Sequence, residues 1–337
     1  MNRKLNMYKA GLRALFVLAA AHGLPQTAWA DSADGTVRQS VQIAVGALST
    51  QTMQVGNARG TMADARARVD SAIQIGAGAL NRQSAAVGVA SGSGGTRATI
   101  GSLTQIQAGA LNRQQANIGN ASGRADSRVS GREVLQIQAG ALTSQTLSAG
   151  NADESGRSDL RFGALRQVQV GALESQSASI GNVGTGGRST ASIGAVNQVQ
   201  AGALNRQVLN LANASGNGDS RVQQRSMAQI QAGFLNSQSA DIANASNGGR
   251  SELRISDVVQ AQAGFLNSQR MAIANASNGG HSDVSVGQVM QTQGGFLNSA
   301  SVRIGNTGGA DTTVRVGNVI QHQAGFWRSS RINIGNR

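Results

Sequence analysis

Cysteine is absent from the 337-residue chain, and beyond residue 30 so are lysine, proline and tyrosine. Lys4, Lys9, Tyr8 and Pro25, with Trp29, all fall in the first thirty residues. The remaining 307 residues keep five Phe and one Trp. A chain of that length ordinarily builds about two domains around aromatic-rich cores, so the deficit argues against an ordinary globular interior. Zero cysteine excludes a disulfide framework. With only His281 and His322 left, it also argues against a nitrogen- and sulfur-ligated metal site. Stability is then expected from backbone pairing and repetition.

Long apolar runs are missing as well. The longest, Ala14 to Ala21, is too short to span a bilayer, and no membrane insertion is expected. It sits between a basic stretch (Arg3, Lys4, Lys9, Arg13) and Ala28-Trp29-Ala30, a small-x-small cleavage pattern. Residues 1–30 therefore read as a secretory signal peptide, with a translocated product beginning at Asp31. From there 25 Arg stand against 16 Asp and Glu, a net +9 spread along the chain. Without base-stacking aromatics a sequence-specific nucleic-acid groove is not expected. Nonspecific attraction to a polyanion or acidic polysaccharide is compatible with the charge.

What is present is a repeat. One Gly recurs at 46, 78, 109, 140, 171, 202, 233, 264, 295 and 325, at spacings of 32, then 31 seven times, then 30. Around it the chain reads Gln-x-Gln-Ala-Gly-Ala/Phe-Leu-Asn-x-Gln, as from Gln229 to Gln238. Counting from this Gly, Gln stands at −4 in all ten copies and at +5 in eight, and Asn at +11 in nine. Residues +7 and +9 are apolar or Ala, as at Met271 and Ile273. This alternation is that of a strand with one face inward. Position +10 is only Gly or Ala, and Asn-Ala-Ser-Asn-Gly-Gly (244–249 and 275–280) supplies turn chemistry tolerant of positive φ. A short strand such as Leu253-Arg-Ile255 then leads into the next Gln-x-Gln.

One unit of about three short strands is too small to bury an apolar face alone, but stacked copies can do so. The expected fold is all-β: a β-solenoid of ten coils of about 31 residues spanning 31–337, with like residues stacked at about 4.8 Å. Inward Gln and Asn would cost roughly 1–3 kcal/mol each if unpaired. In a stack each amide donates to one neighbouring copy and accepts from the other. The candidate ladder and turn residues are Gln105, Gly109, Gln114 and Asn120; Gln229, Gly233, Asn236, Gln238 and Asn244; and Gln260, Gly264, Asn267, Gln269 and Asn275. The Gly is expected to mark a tight bend whose backbone shape other residues resist. Ala at +1 in six copies becomes Phe234, Phe265, Phe296 and Phe326 in the last four, an expected column of stacked rings. The segment Asp31 to Gly35 and the last pair, Asn336-Arg337, read as corresponding turns, which leaves whole coils with open edges that template another chain. Trp327, Arg328, Ser330 and Arg331 make the last copy atypical, a weak cap as the alternative.

The core Gln-x-Gly-x-x-Asn-x-Gln, at 107–114, 231–238 and 262–269, resembles the curlin repeat over eight of about 31 residues per unit. Ala108 to Asn117 is similar to the Gln- and Asn-rich repeats of Fap-type functional amyloids. The period is longer than curlin's, and Gln replaces its Ala. The resemblance implies a secreted fibre subunit of a biofilm matrix, outside or on the surface of a Gram-negative-type bacterium. Its implied partners are further copies of itself joined head to tail, an outer-membrane export pore and a nucleator.

No enzyme and no cofactor is expected. A β-helical lyase or hydrolase would gather carboxylates with Lys, Arg, His or Tyr on one face, whereas the acids, such as Asp153, Glu154 and Asp219, read as turn residues. His281 reads as a turn residue too, and His322 as a replacement for Ile or Val between two Gln. Asn-x-Ser at Asn120, Asn213, Asn244 and Asn275 recurs because the repeat does, as turn chemistry rather than glycosylation. The competing class is a monomeric surface adhesin binding polysaccharide or another polyanion through turn columns of Arg and Asn.

Overall fold

The computed structural model describes residues 32–60, 64–305, 307–308 and 311–334. The expected signal peptide at 1–30, the start at Asp31 and the closing Asn336-Arg337 lie outside these described residues. Among the described residues every regular element is a strand. In the last seven coils one strand of 24 residues runs through the motif, from Asp126–Ala149 to Asp311–Ile334. In the first three coils it is divided at the corner, for example into Gly95–Ala108 and Leu111–Ile118. Ten such rungs pair in chain order, all parallel and in register. The chain is a β-solenoid of about nine turns from first rung to last. Partners are offset by 32 residues at the first step, as in Gln42↔Gln74, and by 30 at the last, as in Gln291↔Gln321.

Burial along Arg157–Ile180 shows how the strand encircles a core. Ser158, Leu160 and Phe162 point inward, then Leu165, Gln167 and Gln169, then Glu174, Gln176, Ala178 and Ile180. Strict alternation slips twice, after Phe162 and around Gly171, and each slip is a corner. An entry segment (157–162), a middle segment (164–170) and an exit segment (172–180) result. A turn then closes the coil, where Val183 bridges Ala152 in the coil before and Ala214 in the coil after. The interior is bipartite. Apolar columns, such as Leu160, Leu165 and Ile180, join one continuous core, while the Gln columns occupy the fold between middle and exit segments.

Position +10 is left-handed in every described coil, from Gly56 (φ 57°) and Gly119 (62°) to Ala243 (52°) and Ala274 (56°). Gly or Ala is required there because the side chain points at the core: a Cβ on Gly119 would lie 2.7 Å from Cγ2 of Val129.

Three expectations are corrected. Residues 32–35, read as part of a turn, are extended and pair with 64–67, because in-register pairing overrides the turn preference of Asp and Gly. Asp219 and His281 open strands rather than lying in turns. Both do so because the coil before supplies a backbone partner: Asp219 N–H donates to Gly187 O at 2.9 Å and His281 N–H to Gly249 O at 2.8 Å. The corner glycine has a φ of 140° to 157°, which other residues resist, at Gly46, Gly78, Gly109, Gly295 and Gly325, but not at Gly233 and Gly264. Their requirement is proximity: a Cβ on Gly233 would lie 1.8 Å from the carbonyl oxygen of Gly202, and one on Gly264 1.7 Å from that of Gly233.

Gly264→Val is therefore expected to destabilise by about 3 kcal/mol or more, since backbone rather than a mobile side chain must yield. Gly294→Ala, one residue before the next corner and with nothing within 4 Å of the added carbon, is expected to change stability by less than about 0.5 kcal/mol. Denaturant midpoints of the two variants check the contrast.

Candidate functional site: amide ladders and end rungs

Three Gln columns run through the interior, and all donate in one direction. At −4, Gln105 Nε2 donates to Gln74 Oε1 at 2.7 Å, and the same bond recurs from Gln74→Gln42 to Gln321→Gln291. Gln229 and Gln260 belong to this column. At −2, the column begins with Gln138→Gln107 and ends with Gln323→Gln293. At +5, Gln114, Gln238 and Gln269 belong to a column that starts with Gln83→Gln51 and ends with Gln269→Gln238. Each Nε2 thus points toward the N-terminal coil. The second amide hydrogen crosses the interior to a backbone carbonyl. Gln114 donates to Ile137 O at 3.0 Å and Gln169 to Ser175 O at 3.2 Å. These bonds tie the middle segment to the exit segment and remove the cost of burying an amide.

The Asn column at +3 runs the other way. Asn236 Nδ2 donates to Gly233 O at 3.2 Å, to Ala263 O in the next coil at 3.0 Å and to Asn267 Oδ1 at 2.9 Å. Asn267 repeats this set one coil later. The corner at Gly109 is held the same way, by Asn112. At +11, the Oδ1 of Asn120 accepts the backbone N–H of Asn151, and that of Asn244 the N–H of Asn275. Asn120 Nδ2 donates to Ser148 and Asn213 Nδ2 to Asp241 O, so these sequon amides are engaged in ladder and turn bonds. The sequence reading missed one column. Inward Ser127, Ser158, Ser189, Ser220, Ser251 and Ser282, at −13, each donate to the carbonyl of a left-handed +10 residue, as Ser158 does to Gly119 O at 2.6 Å. Six consecutive Ser at a 31-residue spacing was the available signal.

The expected ring column is present. Phe234, Phe265, Phe296 and Phe326 stack at 5.0, 5.1 and 5.4 Å with interplanar angles of 1–3°. In the last rung Ser330 donates to Gln321 Oε1, and Arg328 donates to Gln323 O at 3.0 Å. Among the described residues no group of three His, Cys, Asp or Glu could hold a metal.

The ladders break where the residue type changes. Gly76 replaces Gln at −2 and leaves Gln107 Nε2 without a partner, and Ala300 replaces Gln at +5 and leaves Gln269 Oε1 without one. The largest fault lies at +3, where Thr143 and Glu174 replace Asn. Thr143 Oγ1, both Glu174 oxygens and Asn205 Oδ1 are buried there without partners. Asn in that column donates to two carbonyls and an amide oxygen, so a carboxylate at Glu174 faces acceptors with nothing to give them. The nearest groups on the adjoining coils, Thr143 and Asn205, are uncharged. The arginines bordering the same groove, Arg82 and Arg113, point to solvent. Burial pushes the Glu174 carboxyl up to about 7.

The fold and its interior define a class: an all-β solenoid with stacked amide columns inside. No known protein family, curated protein or solved structure matches the chain.

Glu174 has an ordinary unfolded value of 4.5 and a folded value of about 7. Below the first both states are protonated and the contribution to stability is complete; it is lost as pH rises through the second. The denaturation midpoint is expected to fall between pH 4.5 and 8. Glu174→Asn is expected to flatten that profile and to gain about 1–3 kcal/mol at pH 8, measured as a pair of pH titrations of stability. Ala300→Gln, which returns a donor to Gln269 Oε1, is expected to gain about 1 kcal/mol in the same denaturation assay.

Proposed function

We propose that the chain is a secreted, self-assembling structural subunit of an extracellular amyloid-like fibre serving biofilm matrix and adhesion. The observation that carries this reading is the polarity of its ladders at the two end rungs. The Gln columns offer Nε2 toward the N-terminal coil, so the first rung presents the amide donors of Gln42 and Gln51 and the last presents the amide acceptors of Gln321 and Gln323. A second copy placed head to tail continues the −4 ladder, where Gln42 meets Gln321, and the apolar columns, where Met53 and Val55 meet Ile332 and Ile334; at −2 and +5 the facing pairs are Ala44 with Gln323 and Gln51 with Ser330. Head-to-head contact opposes donor to donor and reverses the backbone pairing. Both end rungs also carry apolar side chains in search of cover. Val45 and Leu48 are 79% and 75% exposed in the first, and Phe326 and Ile334 are 76% and 57% exposed in the last. Open edges of this kind template addition. On this reading Ser330 and Arg328 moderate the growing end without closing it. Further copies are the principal partner, with an outer-membrane pore for export and a nucleator as the curlin- and Fap-like pattern implies, at the surface of a Gram-negative-type cell.

A second reading, a rod that binds acidic polysaccharide or another polyanion, is favoured by one feature. Arg66, Arg97 and Arg128 stack directly on one another, exposed, on the entry segment. Like charges at rung spacing repel, and a bound polyanion would relieve that repulsion.

The chain from Asp31 onward, held at micromolar concentration without denaturant, is expected to form unbranched filaments with a meridional reflection at about 4.7–4.8 Å. Negative-stain microscopy and fibre diffraction read this out. Discrete rods about 50 Å long, the length of ten coils at about 4.8 Å, would overturn it in favour of the polyanion-binding rod.

A further inference from the structure

The three outward faces of the rod differ in chemistry. On the entry segment arginines alternate with acids and pair across coils, as Arg221 does with Glu252 at 2.8 Å and Arg188 with Asp219 at 3.5 Å. On the exit segment the outward columns are mostly Ser, Thr, Asn and Arg, as at Ser175, Ser177 and Ser179. The middle segment is mainly apolar on its outward side. Its inward side carries the Gln columns beside Leu165 and its equivalents. Its outward side stacks Ile43, Ile75, Ile106, Ile137, Val168, Val199 and Ile230 in one in-register column. The adjoining −1 column is Ala, Val or Gly in all ten coils, as in Val45↔Ala77 and Val170↔Ala201. The −5 column is mainly aliphatic; its one charged residue, Arg166, pairs with Glu133 at 3.3 Å, and Glu133 and Asp257 lie on the −7 column at the edge of this face. Ile43, Val170 and Ile230 are 52%, 53% and 43% exposed. Past the corner the apolar band continues into Leu at +2 and the Phe stack.

We infer that this middle face is a docking surface for the same face of a second copy, pairing two rods side by side. Three features choose that occupant. The face is nearly free of charge, which disfavours the polyanion that suits the entry face. Its Ile and Val ridge repeats at the rung spacing through the first seven coils and gives way to Ala261, Thr292 and His322 in the last three, while the small −1 column runs the whole rod; another rod of this chain has the same period, so ridge and groove stay in step along it. The face is also self-complementary, as a two-fold contact requires, and identical β-branched columns form dry interdigitated sheet interfaces. Four residue steps at about 3.3 Å across and nine rung steps at about 4.8 Å along give about 570 Å² per chain. Two faces exceed the roughly 1,000 Å² that a specific interface needs. In filament form this pairing rests on the proposed function; between discrete rods it does not.

The test compares the chain from Asp31 onward with two triple variants. Ile106→Lys, Ile137→Glu and Val168→Lys together place charge on the middle face, with opposite signs on successive coils so that the stack itself is not repelled. Thr146→Lys, Ser177→Glu and Val208→Lys do the same on the exit face as a control. Mass per length from scanning transmission microscopy is expected to be two chains per ten-rung length for the native chain and the exit-face variant, and one for the middle-face variant. Native filaments of one chain per ten-rung length, or a middle-face variant that stays paired, would overturn the inference and leave the fibre reading intact. If only discrete rods form, the fibre reading fails while light scattering still decides the pairing: native dimers against middle-face monomers support it, and native monomers overturn it.

Discussion

A buried primary amide has two hydrogens and an acceptor oxygen, and inside this rod nearly all of that capacity is met by the same residue one coil away and by a carbonyl across the coil. The rest of the structure depends on this condition. It forces a constant offset, because a slip of one residue would turn every Gln outward and every outward residue inward. It also makes the parallel register stricter than apolar packing alone would, since Leu, Ile, Val and Ala exchange freely in the apolar columns while the −4 column is Gln in all ten copies. The steps of 32 and 30 at the two ends are tolerated because the extra and missing residues fall outside the paired register, between Gly60 and Asp64 and between Gly308 and Asp311.

The outer surface obeys no such condition, and its composition is free to vary by face. Entry, middle and exit segments carry charge, aliphatic columns and hydroxyls in that order, which lets one repeat present three surfaces to three environments. Exposed ion pairs such as Arg128 with Asp159 at 3.7 Å contribute little to stability. They keep stacked arginines from repelling where acids alternate with them; the run Arg66, Arg97 and Arg128 has Asp34 in register at one end and Asp159 at the other, so that Arg97 has arginine on both sides.

The corner glycine, the Gln and Asn columns, the Phe stack and the coil count were legible in the sequence because each is a column, and a column is a fixed period. What escaped was of two kinds. The outward faces depend on where the strand phase slips, and those slips, at the residue pair after Phe162 and again around Gly171, are set by packing around the core rather than by any residue type that announces a corner. Asp219 and His281 were misplaced for the same reason: read alone they suit a turn, but the neighbouring coil supplies backbone partners that extend them. The role of Gly233 was half legible. Its necessity showed as periodicity, whereas its cause, a carbonyl oxygen of the previous coil too near for any side chain, is visible only between coils.

Because each coil touches only its neighbours, stability is a chain of nearest-neighbour terms, and the ladder faults mark its weakest links. They are unequal. Gly76 and Ala300 each stop a column near an end of the rod, where one orphaned amide group remains and the other columns pass unbroken. The Thr143 and Glu174 pair lies in the middle, strips two corners of their amide donor and leaves four oxygens of three coils unanswered. There the corner is held only by backbone pairing and by the Gln columns at −4, −2 and +5, which continue through Gln145, Gln167, Gln169 and Gln176. A column that is never interrupted across the point where another fails carries the register past it. That explains why the −4 position admits no substitute anywhere in the chain, while +3 admits Ser, Thr, Glu and Arg.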